Sequence, residues 1–135
     1  MLRLGQAFFT PAKDEIGVGR HLWFVLSDPA RGARVVIANL STLRPPNEHL
    51  GCTVNAREHP SVAHASVLRC DQARLQAAAQ IEALLARRAV QETTDASGAL
   101  VRRLHASLCG SRDTPNEVKA TLKEQGFCGD HPPRT

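Results

Sequence analysis

The sequence has few aromatic residues and lacks the glycine-rich motifs that hold nucleotide phosphates. Its 135 residues include four phenylalanines, one tryptophan and no tyrosine, which are too few for an RNA-binding sheet built on stacked aromatic side chains. Neither a Walker loop nor a GxGxxG pattern is present, so no nucleotide-binding fold is indicated. The chain lacks an apolar run of about eighteen residues and a signal-peptide pattern at Met1 to Gln6, so we expect a cytoplasmic protein without a membrane span.

Cysteine is sparse and its spacing is not that of a known motif. The four cysteines, at positions 52, 70, 109 and 128, include no CxxC pair, which in a reducing compartment predicts free thiols. Cys52, His59, His64 and Cys70 could together ligate a metal, but the spacing C-x6-H-x4-H-x5-C is not that of a zinc finger. A cysteine in a strand is more often a small buried hydrophobe. We therefore expect no metal site and no cofactor.

Lysine is also scarce, and arginine supplies most of the positive charge. Only three of the 17 basic residues are lysine, in a chain with a net charge of +4. Arginine forms bidentate contacts with phosphate and stacks on bases, so the composition permits a nucleic-acid partner. A GC-rich genome, which raises alanine and arginine together, is the alternative explanation.

The order of hydrophobic patterns predicts strands first and helices afterwards. Apolar runs bounded by turn residues predict five strands, at residues 2–9, 21–27, 33–40, 51–55 and 62–70. Asp28 to Gly32 has the composition of a turn, so the second and third strands are expected to form a hairpin. A helical period then predicts three helices, at residues 72–90, 99–109 and 114–125, with a polar break at 91–97.

This order indicates a single α+β domain over residues 1–126. The small antiparallel sheet is expected to curl into a partly closed barrel over about residues 2–70, with helices at about 71–125. Residues 127–135 contain Pro132-Pro133 and are expected to form a mobile tail.

Polar groups that can carry protons collect at the ends of the predicted strands. Ser41 and Thr42 end the third strand, and the loop from Glu58 to Ser66 contains His59 and His64. Histidines can exchange protons near neutral pH, and hydroxyl groups can hydrogen-bond phosphate. The plainer interpretation is a solvent-exposed turn in which Pro60 bends the chain.

Several short segments resemble the PemK/MazF-like family of plasmid-maintenance toxins. They are a glycine-containing first strand at Leu4-Gly5-Gln6, a strand ending in Val25-Leu26-Ser27, and a strand that runs into Ser41-Thr42. The segment Glu58-His59-Pro60, followed by Ser66-Val67, resembles a divergent bacterial branch of the family. The resemblance covers about residues 4–85. At the position where the typical member has arginine this chain has His21, and Asn39 replaces a proline.

The resemblance implies an SH3-like β-barrel and a metal-independent endoribonuclease that cuts single-stranded RNA. It also implies an antitoxin-like protein partner and a homodimer. Metal-free cleavage needs a base, an acid and a cation. We predict proton transfer by His21 with His59 or His64, and phosphate positioning by Ser41 and Thr42. The predicted RNA-binding arginines, with Arg20 also supplying charge for cleavage, are Arg20, Arg31, Arg34, Arg44 and Arg57.

A second interpretation comes from a different functional class. The chain could be a non-catalytic interaction domain that retains the SH3-like barrel and binds a protein partner. Incubation with labelled single-stranded RNA in EDTA separates the two interpretations, because only an endoribonuclease would cleave it.

Overall fold

A computed structural model describes residues 1–10 and 21–129. It confirms an α+β architecture with an antiparallel sheet and three helices. The strands are β1 (Ala7–Phe9), β2 (Leu22–Val25), β3 (Arg34–Thr42), β4 (Thr53–Val54), β5 (Ser66–Leu68), β6 (Arg74–Ala77) and β7 (Gln91–Thr93). The helices are α1 (Ala78–Ala86), α2 (Gly98–Gly110) and α3 (Asn116–Glu124). Among the described residues, no helix is long and apolar enough to cross a membrane.

The long strand β3 organises the sheet. The strand order is β4-β5-β3-β2-β1-β7, and β6 also pairs with β3. The first half of β3, Arg34 to Ile37, pairs with β6, whereas Leu40 to Thr42 pairs with β5. Strand β3 can pair with both β5 and β6 because it is nine residues long, whereas β5 has three residues and β6 has four. Ser41 and Thr42 are therefore held in register by β5, where they lie opposite Val67 and Ser66.

The predicted hairpin of β2 and β3 is confirmed. Phe24 lies opposite Ala38 in this antiparallel pair, and Val25 lies opposite Ile37. The turn between them begins at Asp28, whose Oδ1 accepts a hydrogen bond from the Ala30 N–H at 2.9 Å. This is the local bond that favours aspartate at the start of a turn.

Both faces of the central strands are buried, because helices cover the sheet on each side. One core joins Phe24, Val36 and Ala38 to Leu104 and Leu108 of α2 and to Val118 and Leu122 of α3. The other core joins Phe8, Trp23, Val35 and Ile37 to Ile81 and Leu84 of α1. Alternate residues of β2 and β3 thus pack into opposite cores, as the period of two in a strand requires.

The sheet is not closed. In the part of the chain that the structure describes, β4 and β7 lie at the two ends of the strand order and share no backbone pairing. The loop between β4 and β5 nevertheless reaches β7 through side chains: Ser61 Oγ and Thr93 Oγ1 are 2.7 Å apart. In place of the expected partly closed barrel, the structure has an open antiparallel sheet in which the loop between β4 and β5 is hydrogen-bonded to β7 through side chains.

Two predictions in the second half of the chain were wrong in detail. The helix predicted for residues 72–90 is shorter, because Arg74 to Ala77 form β6 against β3 and α1 begins only at Ala78. The segment predicted as a polar break contains β7, which pairs with β1. In both places a neighbouring strand with free hydrogen-bonding groups overrides the local preference.

The prediction of free thiols was wrong for one pair. Cys109, near the end of α2, and Cys128, after α3, form a disulfide across 19 residues. The sequence spacing carries no sign of it, because the pair meets only after α2 and α3 have packed together. Cys52 and Cys70 are free.

Phe127 and Cys128, which follow α3, contact α2, whereas the sequence predicts a mobile tail from residue 127. Gly126 adopts a φ of 84° and ends α3 as predicted. The Phe127 N–H donates to the Leu122 carbonyl at 2.8 Å, which is the long bond of a Schellman motif. The Phe127 ring stacks on His105 at 4.2 Å. Residues 130–135 lie outside the described part of the chain.

Candidate functional site

A cleft of about 510 Å³ lies beside the end of β3 and the start of β2. Its walls come from β1, β2, β3 and the loop that leads into β5. The predicted site residues in its lining are His21, Ser41, Thr42, Arg44 and His64. Residues separated by up to 43 positions therefore meet in one place, because β2 and β5 are both neighbours of β3.

His21 is half-buried at the entrance to β2 and is held by both its backbone and its ring. Its N–H donates to Thr10 Oγ1 at 3.2 Å. Its Nδ1 lies 3.1 Å from the Leu40 carbonyl oxygen. A carbonyl can only accept, so Nδ1 carries the proton, and Nε2 holds a lone pair when the ring is neutral.

His64 and Thr42 are paired at the exposed side of the cleft. His64 Nε2 lies 3.2 Å from Thr42 Oγ1. The strand end and the loop thereby bring an imidazole and a hydroxyl within hydrogen-bond distance of each other. The sequence predicts both His59 and His64 beside the strand end at Ser41 and Thr42, and His64 makes this contact.

Asn47, which the sequence analysis did not single out, fixes the arginine of the cleft. Its Nδ2 donates to the Thr42 carbonyl and its Oδ1 accepts from the Arg44 N–H, each at 3.0 Å. Among the described residues, Arg44 forms no ion pair with a carboxylate, and its side chain is exposed. Asparagine after Pro45-Pro46 is a turn signal, and in this loop the turn places a cation beside Thr42.

Arg69 is a second residue that the sequence analysis missed. Its Nη1 donates to Ser41 Oγ at 3.4 Å, and its Nε and Nη2 donate to the two Asp71 oxygens at 2.9 and 2.8 Å. This bidentate pairing lowers the pKa of the Asp71 carboxyl. Asp71 offsets the charge of Arg69, so Arg69 orients the Ser41 hydroxyl and contributes little net charge to the cleft. The sequence signal that could have identified Arg69 is the opposite charge of Asp71, two residues further along the chain.

His59 is buried and does not line the cleft. Its Nδ1 accepts from the Ser61 N–H at 3.0 Å, and its Nε2 lies 2.6 Å from the Thr94 carbonyl oxygen. The edge of its ring meets Phe24, with ring centres 5.5 Å apart. Both ring nitrogens are thus occupied by backbone groups. The two loop histidines, which the sequence treats alike, have different environments.

The predicted arginine surface is spread over the molecule. Arg44 lines the cleft, whereas Arg31 and Arg34 belong to the turn and first residue of the β2–β3 hairpin. Arg34 is about 26 Å from Thr42 along the strand at 3.3 Å per residue. Arg57 is exposed in the short helical turn Ala56–Glu58, and Arg20 lies outside the described residues.

Three of the four residues considered as metal ligands, His59, His64 and Cys70, have other side-chain contacts. Cys70 Sγ lies 3.5 Å from Ser107 Oγ, and burial raises the pKa of the Cys70 thiol, which keeps it protonated. Within residues 1–10 and 21–129, no three His, Cys, Asp or Glu side chains are grouped so as to hold a metal ion.

Chemically, the lining of the cleft offers two imidazoles, four hydroxyls and the guanidinium of Arg44, a set suited to a phosphate ester. No protein-family model matches the sequence, and no curated protein matches it. The resemblance to PemK/MazF-like toxins therefore stays a prediction, and the geometry of the cleft carries the functional argument.

Proposed function

We propose that the cleft binds a phosphodiester of single-stranded RNA and cleaves it without a metal ion. The observation that supports this is the meeting of His21 and His64 in one cleft with Ser41, Thr42 and Arg44. The pairing of an oriented base with a second imidazole is what RNA cleavage through the 2′-hydroxyl requires. The hydrogen bond between the β4–β5 loop and β7, at the other end of the antiparallel sheet, supports the further proposal of an opened SH3-like barrel.

His21 is the base in this proposal. Its Nε2 takes the proton of the 2′-hydroxyl, and the 2′-oxygen forms a bond to phosphorus. The ring then carries a positive charge, which the Leu40 carbonyl stabilises through the bond from Nδ1–H. The same bond fixes the orientation of the ring before the substrate arrives, which is the role that a carbonyl or carboxylate commonly has behind a catalytic histidine.

His64 is the acid. In its charged form it gives a proton to the 5′-oxygen as the bond from that oxygen to phosphorus breaks. The products are a 2′,3′-cyclic phosphate and a 5′-hydroxyl. Arg44 stabilises the negative charge that develops on the phosphorane, while Ser41 and Thr42 orient the phosphate. The exposed position of His64 lets it exchange protons with water after each cycle.

The test is cleavage of a labelled single-stranded RNA in EDTA. We expect H21N and H64N each to slow cleavage by about 10²- to 10⁴-fold, the usual contribution of a proton-transfer group. H49N is the matched control, because His49 is exposed and lies outside the cleft. A substrate with a single 2′-deoxy sugar at the cut position should resist cleavage. Equal rates for H21N, H64N and wild type would refute the assignment.

RNA affinity tests the arginine assignment separately from catalysis. Each phosphate contact should contribute about 0.7 to the slope of log affinity against log salt. We expect R44A to lower this slope and R102A, on the exposed surface of α2, to leave it unchanged. Salt-independent binding, or no RNA binding at low ionic strength, would favour the non-catalytic interaction domain, and an antitoxin-like protein partner would then be sought at the same cleft.

A further inference from the structure

The loop between β4 and β5 connects the two ends of the open sheet. Its residue His59 contacts the carbonyl of Thr94, directly after β7, at 2.6 Å. Two residues later, Ser61 Oγ lies 2.7 Å from Thr93 Oγ1. Strands β4 and β7 are at opposite ends of the strand order. These side chains thus join parts of the sheet that no backbone pairing joins among the described residues.

The hydrogen bonds of His59 define its proton positions. The Ser61 N–H can only donate, so Nδ1 is the acceptor and has no proton. The Thr94 carbonyl can only accept, so Nε2 carries the hydrogen. A proton added to Nδ1 would face the Ser61 N–H and break that bond. With 2% of its surface exposed, the ring is a neutral Nε2–H tautomer with two fixed partners.

The segment that follows His59 forms one wall of the cleft. Ser61, Val62, Ala63 and His64 all line it. At one end the segment is held by His59, whose carbonyl also accepts from the Val62 N–H at 3.0 Å. At the other end the Leu43 N–H donates to the Ala65 carbonyl at 3.0 Å, which ties the segment to the chain after β3. His64 lies between these two attachments.

We propose that His59 is a positioning residue: its neutral ring clasps the loop to β7 and holds His64 opposite Thr42. The kinetic part of this proposal depends on the proposed ribonuclease function, whereas the structural part does not. The proposal separates the two loop histidines by role, with His64 at the reacting atoms and His59 behind them. A misplacement of the wall by about 1 Å would be expected to slow cleavage by about 100-fold.

Two measurements on the intact chain test the clasp without RNA. Nitrogen-15 NMR at neutral pH should show His59 with a protonated Nε2 and an unprotonated Nδ1. Hydrogen exchange should show that H59L increases exchange at residues 61–65. H59Q, whose amide N–H can reach the Thr94 carbonyl, should restore much of the protection. H59N, whose amide oxygen can accept from Ser61 N–H, should restore less, and H49Q should have no effect.

Cleavage kinetics add the functional readout. We expect H59L to lower kcat by about 10- to 100-fold with little change in KM, and H59Q to recover part of it. If wild type does not cleave RNA, the proposed function fails while NMR and exchange still decide the clasp. If H59L does not fold, S61A and T93V remove the hydroxyl pair, and faster exchange at residues 61–65 supports the clasp. Unchanged exchange in the folded variants, or a protonated Nδ1, overturns the proposal.

Discussion

Removal of the Cys109–Cys128 disulfide should lower the free energy of unfolding by about 3 kcal/mol. The bond closes a loop with a sequence separation of 19, and the loss of chain entropy in the unfolded state on closing a loop of this size corresponds to about 3 kcal/mol at 25 °C. At about 2.1 cal/mol/K per residue, the entropy of unfolding converts this into a decrease in Tm of about 10 °C. The loss should be larger if Phe127 also leaves its stack on His105.

Urea unfolding of oxidised wild type and of C109S/C128S measures this difference, with C52S as the control because Cys52 is a free thiol. Reduced wild type should match the double variant, since both have lost the same covalent link. Thiol labelling of the unfolded oxidised protein should modify two cysteines, Cys52 and Cys70. A difference below about 1 kcal/mol would refute the loop-closure reasoning, and labelling of four thiols would refute the disulfide itself.

Three further outcomes are expected from single changes. Burial lowers the pKa of His105 in the folded protein, so the unfolded chain binds the proton at a higher pH. The free energy of unfolding should therefore fall as the pH drops below about 6.5. Urea unfolding at pH 5 and 7.5 should show a smaller difference for H105Q than for wild type. N47A should weaken RNA binding by about tenfold in fluorescence anisotropy, because hydrogen bonds of about 1 kcal/mol each hold the Arg44 loop; unchanged affinity would contradict this. L104A should cost about 2–5 kcal/mol, because Leu104 is fully buried between sheet and helices, and a thermal unfolding shift near zero would contradict that placement.

The β2–β3 hairpin could be predicted because both strands are strongly apolar and a turn-forming segment separates them. Strand β7 could not, because Gln91, Glu92 and Thr93 have no apolar alternation; they become a strand only where β1 offers a free edge. Strand β6 was hidden for a related reason. Leu75 fits both a helical and a strand period, and pairing with Val36 decides between them.

The candidate site could be predicted in its residue types but not in its arrangement. Ser41 and Thr42 were identifiable as a polar strand end, and His64 as a polar loop residue. Spacing alone could not distinguish His64 from His59, since their difference arises from Thr94, which is 35 residues beyond His59. Asn47 and Arg69 were missed because they act through hydrogen bonds to other residues of the site, and no sequence motif marks such bonds.

The side chains at the two ends of the sheet also bear on self-association. An exposed strand edge offers carbonyl groups to which a strand of another molecule can bond. At the β4 edge, the Thr53 carbonyl accepts from Arg103, which is itself paired with Glu58. Beyond β7, the Thr94 carbonyl accepts from His59. Because intramolecular donors already occupy these acceptors, strand addition here would have to displace them. The His59 bond, which also holds the loop beside the cleft, and the Arg103 bond at β4 therefore disfavour edge-to-edge aggregation, and the predicted homodimer would form more readily through another surface.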